Sequence, residues 1–177
     1  MLKKMLILFL IITFSGCSSI KKSKWHSINK RNIYLNIEPG DILIKEKEFS
    51  IYGLFGHCGI MEDEDTVIDY PRIGQRGYKI SLNYWLEMNR KILILRYKKM
   101  NNKFRKDLIN NLKKYSFHNY AISFNKYNSH EFYCSQYVWF VFYKTAQENS
   151  FNLDIDKNGG LFVFPYDLIN LDIFEIE

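Results

Sequence analysis

The sequence predicts an α+β domain in which an antiparallel sheet packs against a buried helix carrying a cysteine. Three observations predict it. Short apolar runs recur between turn signals, as strands do. The segment from Cys134 to Ala146 is apolar almost all the way round, as only a buried helix is. And a histidine lies in one of the strands, His57, about eighty residues before Cys134, with which it could form a nucleophile and base.

The elements follow in order along the chain. Pro39-Gly40-Asp41 is a turn, and Ile42-Leu43-Ile44 after it is a short buried strand. Phe49 to Phe55 is an aromatic loop. His57 to Met61 is a second strand, and Glu62-Asp63-Glu64-Asp65 reads as an exposed hairpin turn without the ligand pattern of a calcium loop. Thr66 to Tyr70 is a third strand, ended by Pro71. Residues 71–78, with Gly74 and Gly77, read as a loop. Ser81 is placed to cap a short helix carrying Tyr84, Trp85 and Leu86. Ile92 to Leu95 is the most apolar strand. Lys103 to Tyr115 sets Phe104, Leu108, Ile109, Leu112 and Tyr115 on one side of an amphipathic helix. Tyr120 to Glu131 reads as a loop, Gly159-Gly160 breaks the chain, Pro165 opens a helical turn, and Ile173 to Ile176 reads as a last strand. No internal repeat or second domain is visible, and residues 38–177 are enough for one ordinary core. An apolar content of 47% with only 3 Pro and 9 Gly excludes a disordered or loop-dominated chain.

The N-terminus has a different character. Lys3 and Lys4 precede an apolar run from Met5 to Phe14 that is too short to span a bilayer. Phe14-Ser15-Gly16-Cys17 then resembles the lipobox of bacterial lipoproteins, although that family more often has leucine where Phe14 stands. The resemblance implies a signal peptide over residues 1–16, cleavage before Cys17, acylation of Cys17, and a membrane-anchored protein at the bacterial cell envelope, facing outside the cytoplasm. Residues 17–37 then form a polar tether with Trp25 and Tyr34 as docking points. Losing Lys3 and Lys4 lowers the formal charge from +6 to about +4. The remaining basic residues are scattered and lack the basic-aromatic pattern of a nucleic-acid module, so no nucleic-acid partner is expected.

With Cys17 acylated, two cysteines remain. Cys58 directly follows His57, and neighbouring strand residues face opposite ways, so Cys58 is expected to point into the core, away from the histidine's site. Cys134 opens its helix, where unpaired N–H groups and the positive dipole end favour a thiolate. Its apolar surroundings would leave it inert without a base. Of the four histidines, His26 lies in the tether, His130 in a loop and His118 at the end of the amphipathic helix; His57 sits on a strand between Gly56 and Gly59. Asp69, on the adjacent strand, could orient its imidazole. Each residue alone is commonly structural; the three together fit a nucleophile, a base and an orienter.

In order and spacing, Gly40-Asp41-Ile42-Leu43, Gly56-His57-Cys58-Gly59-Ile60, Val67-Ile68-Asp69, Tyr133-Cys134-Ser135-Gln136-Tyr137-Val138-Trp139 and Phe164-Pro165-Tyr166-Asp167-Leu168 resemble the YiiX/YaeF-type group of circularly permuted papain-fold cysteine hydrolases, relatives of the NlpC-type cell-wall peptidases and of the lecithin–retinol acyltransferase group. The resemblance covers roughly residues 38 to 172. It implies a circularly permuted papain-like (NlpC-type) fold, Cys134 as nucleophile, His57 as base and Asp69 at the third polar position, with no cofactor. Cys58 stands where that group usually has valine, and Gln136 where it has glutamate. The expected function is a cell-envelope hydrolase that cleaves amide bonds, with a peptidoglycan peptide as substrate. Three alternatives stay open: a lipid acyl substrate, a non-catalytic binding lipoprotein, and a metal site built from His57, Cys134 and a carboxylate.

Overall fold

In the computed structural model, residues 24–27, 36–49, 53–87 and 90–177 are described. The signal segment, Cys17 and Tyr34 lie outside them.

Branched apolar residues in short runs build the sheet. Strands β1 (Ile42–Lys45), β2 (His57–Met61), β3 (Thr66–Asp69), β4 (Tyr78–Ser81), β5 (Ile92–Tyr97) and β8 (Phe174–Ile176) form one six-stranded sheet in the order β4-β3-β2-β1-β5-β8. Every pairing in it is antiparallel. Strand β4 falls between the expected loop over 71–78 and the helix cap at Ser81, where no element was expected. Tyr-Lys-Ile-Ser is half-exposed along an edge, so its apolar signal is weak, and only pairing with β3 reveals it.

Among the described residues, three α-helices, α1 (Leu82–Leu86), α2 (Asn102–Tyr115) and α3 (Cys134–Glu148), and a 3-10 turn at Pro165–Leu168 complete the fold. The Ser81 side chain accepts from the Tyr84 N–H and starts α1 as expected, while Asn101 does the same for α2. The stretch between α2 and α3 holds a small parallel pair, β6 (Asn119–Tyr120) with β7 (Glu131–Phe132).

The pleat sorts the side chains onto two faces. Ile42, Ile44, Cys58, Ile60, Ile68, Leu93 and Leu95 face α3 and α2. Leu43, Met61, Val67, Ile92 and Ile94 face Trp85 and Leu86 of α1. Helix α3 runs through the larger core with Tyr137, Val138, Trp139, Val141 and Phe142 all buried. Phe142 meets Tyr97, Phe104 and Phe174 through ring contacts. Phe142→Ala is expected to cost about 3–5 kcal/mol and lower the melting temperature by roughly 10 °C, read by thermal unfolding.

Two expectations need correction. Glu62 is not part of an exposed turn: it is buried, and its carboxylate meets Lys79 at 2.7 Å and Lys113 at 3.8 Å. It closes the end of β2, where its backbone pairs with Thr66. The tether is not free throughout either. His26 exchanges both backbone hydrogen bonds with Ile92, and its Nε2 meets the Glu177 carbonyl at 2.7 Å. Trp25, expected as a docking point, stacks on Tyr166 at 5.8 Å between ring centroids.

Candidate active site

The sheet register brings the site together. His57 is the first residue of β2, and Asp69, the last of β3, pairs with Gly59. His57 and Gly59 share a face, so Asp69 is the diagonal neighbour of His57. The glycine leaves that face open: a Cβ there would lie 2.6 Å from a Val67 methyl. The outcome is a 2.6 Å contact between His57 Nε2 and Asp69 Oδ1, with Asp69 almost wholly buried. The other carboxylate oxygen accepts from the Tyr78 hydroxyl at 3.4 Å. Tyr78 stands opposite Asp69 across the β3–β4 pair, and burial together with that carboxylate pushes its hydroxyl up to about 12. Nothing in the sequence singles Tyr78 out, because its role follows from the register of an edge strand.

Two more residues shape the same side of the sheet. The imidazole stacks on Trp85, with centroids 6.3 Å apart. Lys45, opposite His57 on β1, is buried; its ammonium donates to the Trp85 carbonyl at 2.7 Å and lies 3.7 Å above the Trp85 ring. Burial brings its pKa down to about 8, against the pull of the Asp69 carboxylate. From the sequence Trp85 reads as an ordinary helix residue, and Lys45 follows the expected strand Ile42-Leu43-Ile44 with no role assigned.

Cys134 is the first residue of α3. Tyr133 precedes it in an extended conformation and offers no side-chain cap, which leaves the first N–H groups of the helix without one. The Cys134 sulfur and the Ser135 hydroxyl are 4.0 Å apart, and the thiol of Cys58 and the imidazole of His57 both favour the charged form of the Cys134 thiol. Since Asp69 occupies Nε2, Nδ1 is the ring nitrogen left for the sulfur. The Cys58 hydrogen bond and the positive charge of His57 outweigh burial and hold the Cys134 thiol well below the ordinary thiol range. Burial opposes charge on His57, but the Asp69 carboxylate and the Cys134 thiolate raise its pKa to about 10. Each group thus favours the charged form of the other, a thiolate beside an imidazolium.

The placement of Cys58 differs from expectation. It does face the core, opposite to His57, but α3 packs on that same face and brings Cys134 down onto it. Cys134 thus approaches from the Cys58 side of the sheet, near His57 at the start of the strand. Both cysteines are free thiols. Burial and the neighbouring thiolate hold Cys58 well above its ordinary value, so it stays protonated and able to donate. A hydrogen bond to a charged acceptor is worth about 1.5–3 kcal/mol. Cys58→Val is expected to slow alkylation of Cys134 in mildly acid solution by roughly tenfold or more, measured as rate against pH with iodoacetamide.

The backbone around the site is closely determined. Gly56 has φ +80°, and a Cβ there would lie 2.9 Å from the Tyr166 ring and 3.1 Å from the Lys45 carbonyl. Tyr133 and Ser135, flanking the nucleophile, both grip Val163: the Tyr133 hydroxyl accepts from its N–H at 2.9 Å, and the Ser135 hydroxyl donates to its carbonyl at 2.6 Å. Gln136 donates to the carbonyls of Asn125 and Lys126 and so holds the loop after β6 against α3. His118 packs on Tyr115 and Phe132, and His130 lies in an exposed loop.

The sulfur lies in a cleft of about 780 Å³. Its walls come from Phe55–His57, Pro71–Gln75, Tyr120 and Ile122, Tyr133–Ser135 and Phe162–Pro165. Among the described residues, no group of three or more His, Cys, Asp or Glu side chains is arranged to hold a metal ion. Comparisons with protein-family models, with curated proteins and with solved structures give no match.

Proposed function

We propose that the protein is a cysteine hydrolase that transfers an acyl group from a carbonyl substrate to Cys134 and then to water. The observation that carries this reading is that Cys134, at the start of α3, and His57, whose imidazole Asp69 holds at 2.6 Å from behind, line one cleft. The sequence resemblance to circularly permuted papain-fold (NlpC-type) hydrolases supports the same chemistry and topology.

In the first half-reaction the Cys134 thiolate attacks the carbonyl carbon and a C–S bond forms. The carbonyl electron pair moves onto oxygen, where N–H groups at the start of α3 stabilise it. The tetrahedral species collapses, the bond to the leaving nitrogen or oxygen breaks, and the leaving group takes the proton from the His57 imidazolium. Water then loses a proton to His57, attacks the thioester and releases the acid, restoring the thiolate and imidazolium. Asp69 keeps the ring oriented and its charge stabilised throughout.

We read the bond as an amide at the cell envelope, with a peptidoglycan peptide as substrate and Cys17 as the lipid anchor. A second reading, hydrolysis of a lipid acyl group, is favoured by the apolar side chains of Phe55, Ile73, Ile122 and Phe164 in the cleft wall. Incubating wild type and Cys134→Ala with muropeptides and with phospholipid esters tests both. Loss of product by at least about 10⁴-fold in Cys134→Ala is expected. Cleavage that survives the substitution would exclude the mechanism.

A further inference from the structure

Thirteen large apolar side chains are exposed among the described residues, and eight of them sit on four loops. These loops contribute the cleft walls: of the eight, Phe49, Leu54 and Phe55 precede β2, one lies in 71–75, two in 120–125 and two in 160–165. Phe124 and Ile73 are among the most open, at 76% and 70%. Three of the four touch one another through their rings: Phe55 stacks on Phe164 at 5.3 Å, and Phe124 meets Phe162 at 5.1 Å. The opening above Cys134 is thus framed by a joined apolar rim. A rim of this kind marks an interaction surface.

The path of the chain indicates what covers it. Trp25 stacks on Tyr166, and the Tyr166 ring lies against Gly56 beside the Phe55–Phe164 pair. The N-terminal segment therefore meets the domain next to the rim. Cys17 is seven residues before Lys24, a distance of at most about 25 Å for a fully extended chain. An acyl group on Cys17 would hold the rim within that reach of the bilayer. Cations are set among the apolar side chains: Lys47 lies 4.4 Å over the Tyr166 ring, and Arg72 is exposed on the cleft wall. Apolar tips with interspersed cations match the boundary between anionic headgroups and acyl chains.

We propose that these four loops are a membrane-docking surface, which seats the mouth of the Cys134 cleft on the lipid bilayer that holds the Cys17 anchor. The proposal rests on the lipoprotein reading of Cys17 and on the cleft as the hydrolase site. It is tested with the full chain, carrying its anchor, in vesicles of brominated phosphatidylcholine and phosphatidylglycerol. Phe124→Trp places a reporter on the rim. Phe151→Trp places one just past the far end of α3, about 22 Å from Cys134 along a helix of 15 residues. The emission added by Phe124→Trp is expected to fall by roughly half or more relative to unbrominated vesicles, while that of Phe151→Trp is unchanged. If Phe124→Trp does not fold, Ile73→Trp on a separate loop reads the same surface. Equal quenching of the rim and distal reporters, or none at the rim, overturns the proposal. The readout needs no turnover, so the two readings fail separately. Hydrolysis that depends on Cys134 without rim quenching removes the docking surface alone; rim quenching without such hydrolysis supports the docking surface and removes the hydrolase.

Discussion

His57→Ala is expected to lower Cys134-dependent turnover by roughly 10⁴-fold and to change how the thiol titrates. The imidazolium has two tasks in this site. Its charge and hydrogen bond help keep Cys134 ionised inside an apolar core, and its proton goes to the leaving group. Wild-type activity should therefore form a plateau between two limbs. The acid limb is protonation of the Cys134 thiolate, well below the ordinary thiol range, and activity is lost as pH falls through it. The alkaline limb is loss of the His57 proton, near pH 10, and activity is lost as pH rises through it. Without the imidazole, burial opposes the thiolate with only Cys58 to offset it, and alkylation by iodoacetamide should shift toward alkaline pH. A His57→Ala protein that keeps both the wild-type alkylation profile and its turnover would remove His57 from the mechanism.

The second large effect is expected for Asp69→Asn, a loss of about 10³–10⁴-fold in kcat with KM little changed. The asparagine keeps the shape and a hydrogen-bonding oxygen but removes the buried charge 2.6 Å from Nε2. That charge raises the pKa of His57, so its loss should bring the alkaline limb below pH 10. The same change takes from Lys45 the carboxylate that holds its proton against burial. A merely structural role for Asp69 predicts a lower melting temperature with the alkaline limb in its original place. Rate against pH for wild type and variant, alongside thermal unfolding of each, separates the two.

Most strands of the sheet, the cap at Ser81 and the all-apolar helix from Cys134 were legible because each rests on local pattern. Alternation, a capping side chain and an apolar run are properties of a few consecutive residues. Strand β4 was not legible, since an edge strand of four half-exposed residues has little alternation to display. Tyr78 and Lys45 were missed for a related reason. A tyrosine opposite Asp69 and a buried lysine opposite His57 have meaning only once the register is known.

By itself the sequence picked out Cys134 and His57 as the candidates for the proposed chemistry, the elements that hold them, and the α+β class. Only the tertiary structure decided which groups surround the sulfur. Alternation along β2 correctly sends Cys58 and His57 to opposite faces, and from that alone Cys58 looks remote from the nucleophile. Helix α3 packs on the Cys58 face with its first residue over the start of the strand, so one sulfur meets both side chains. That meeting depends on where a helix lands on a sheet, a long-range packing outcome that no short stretch of sequence encodes.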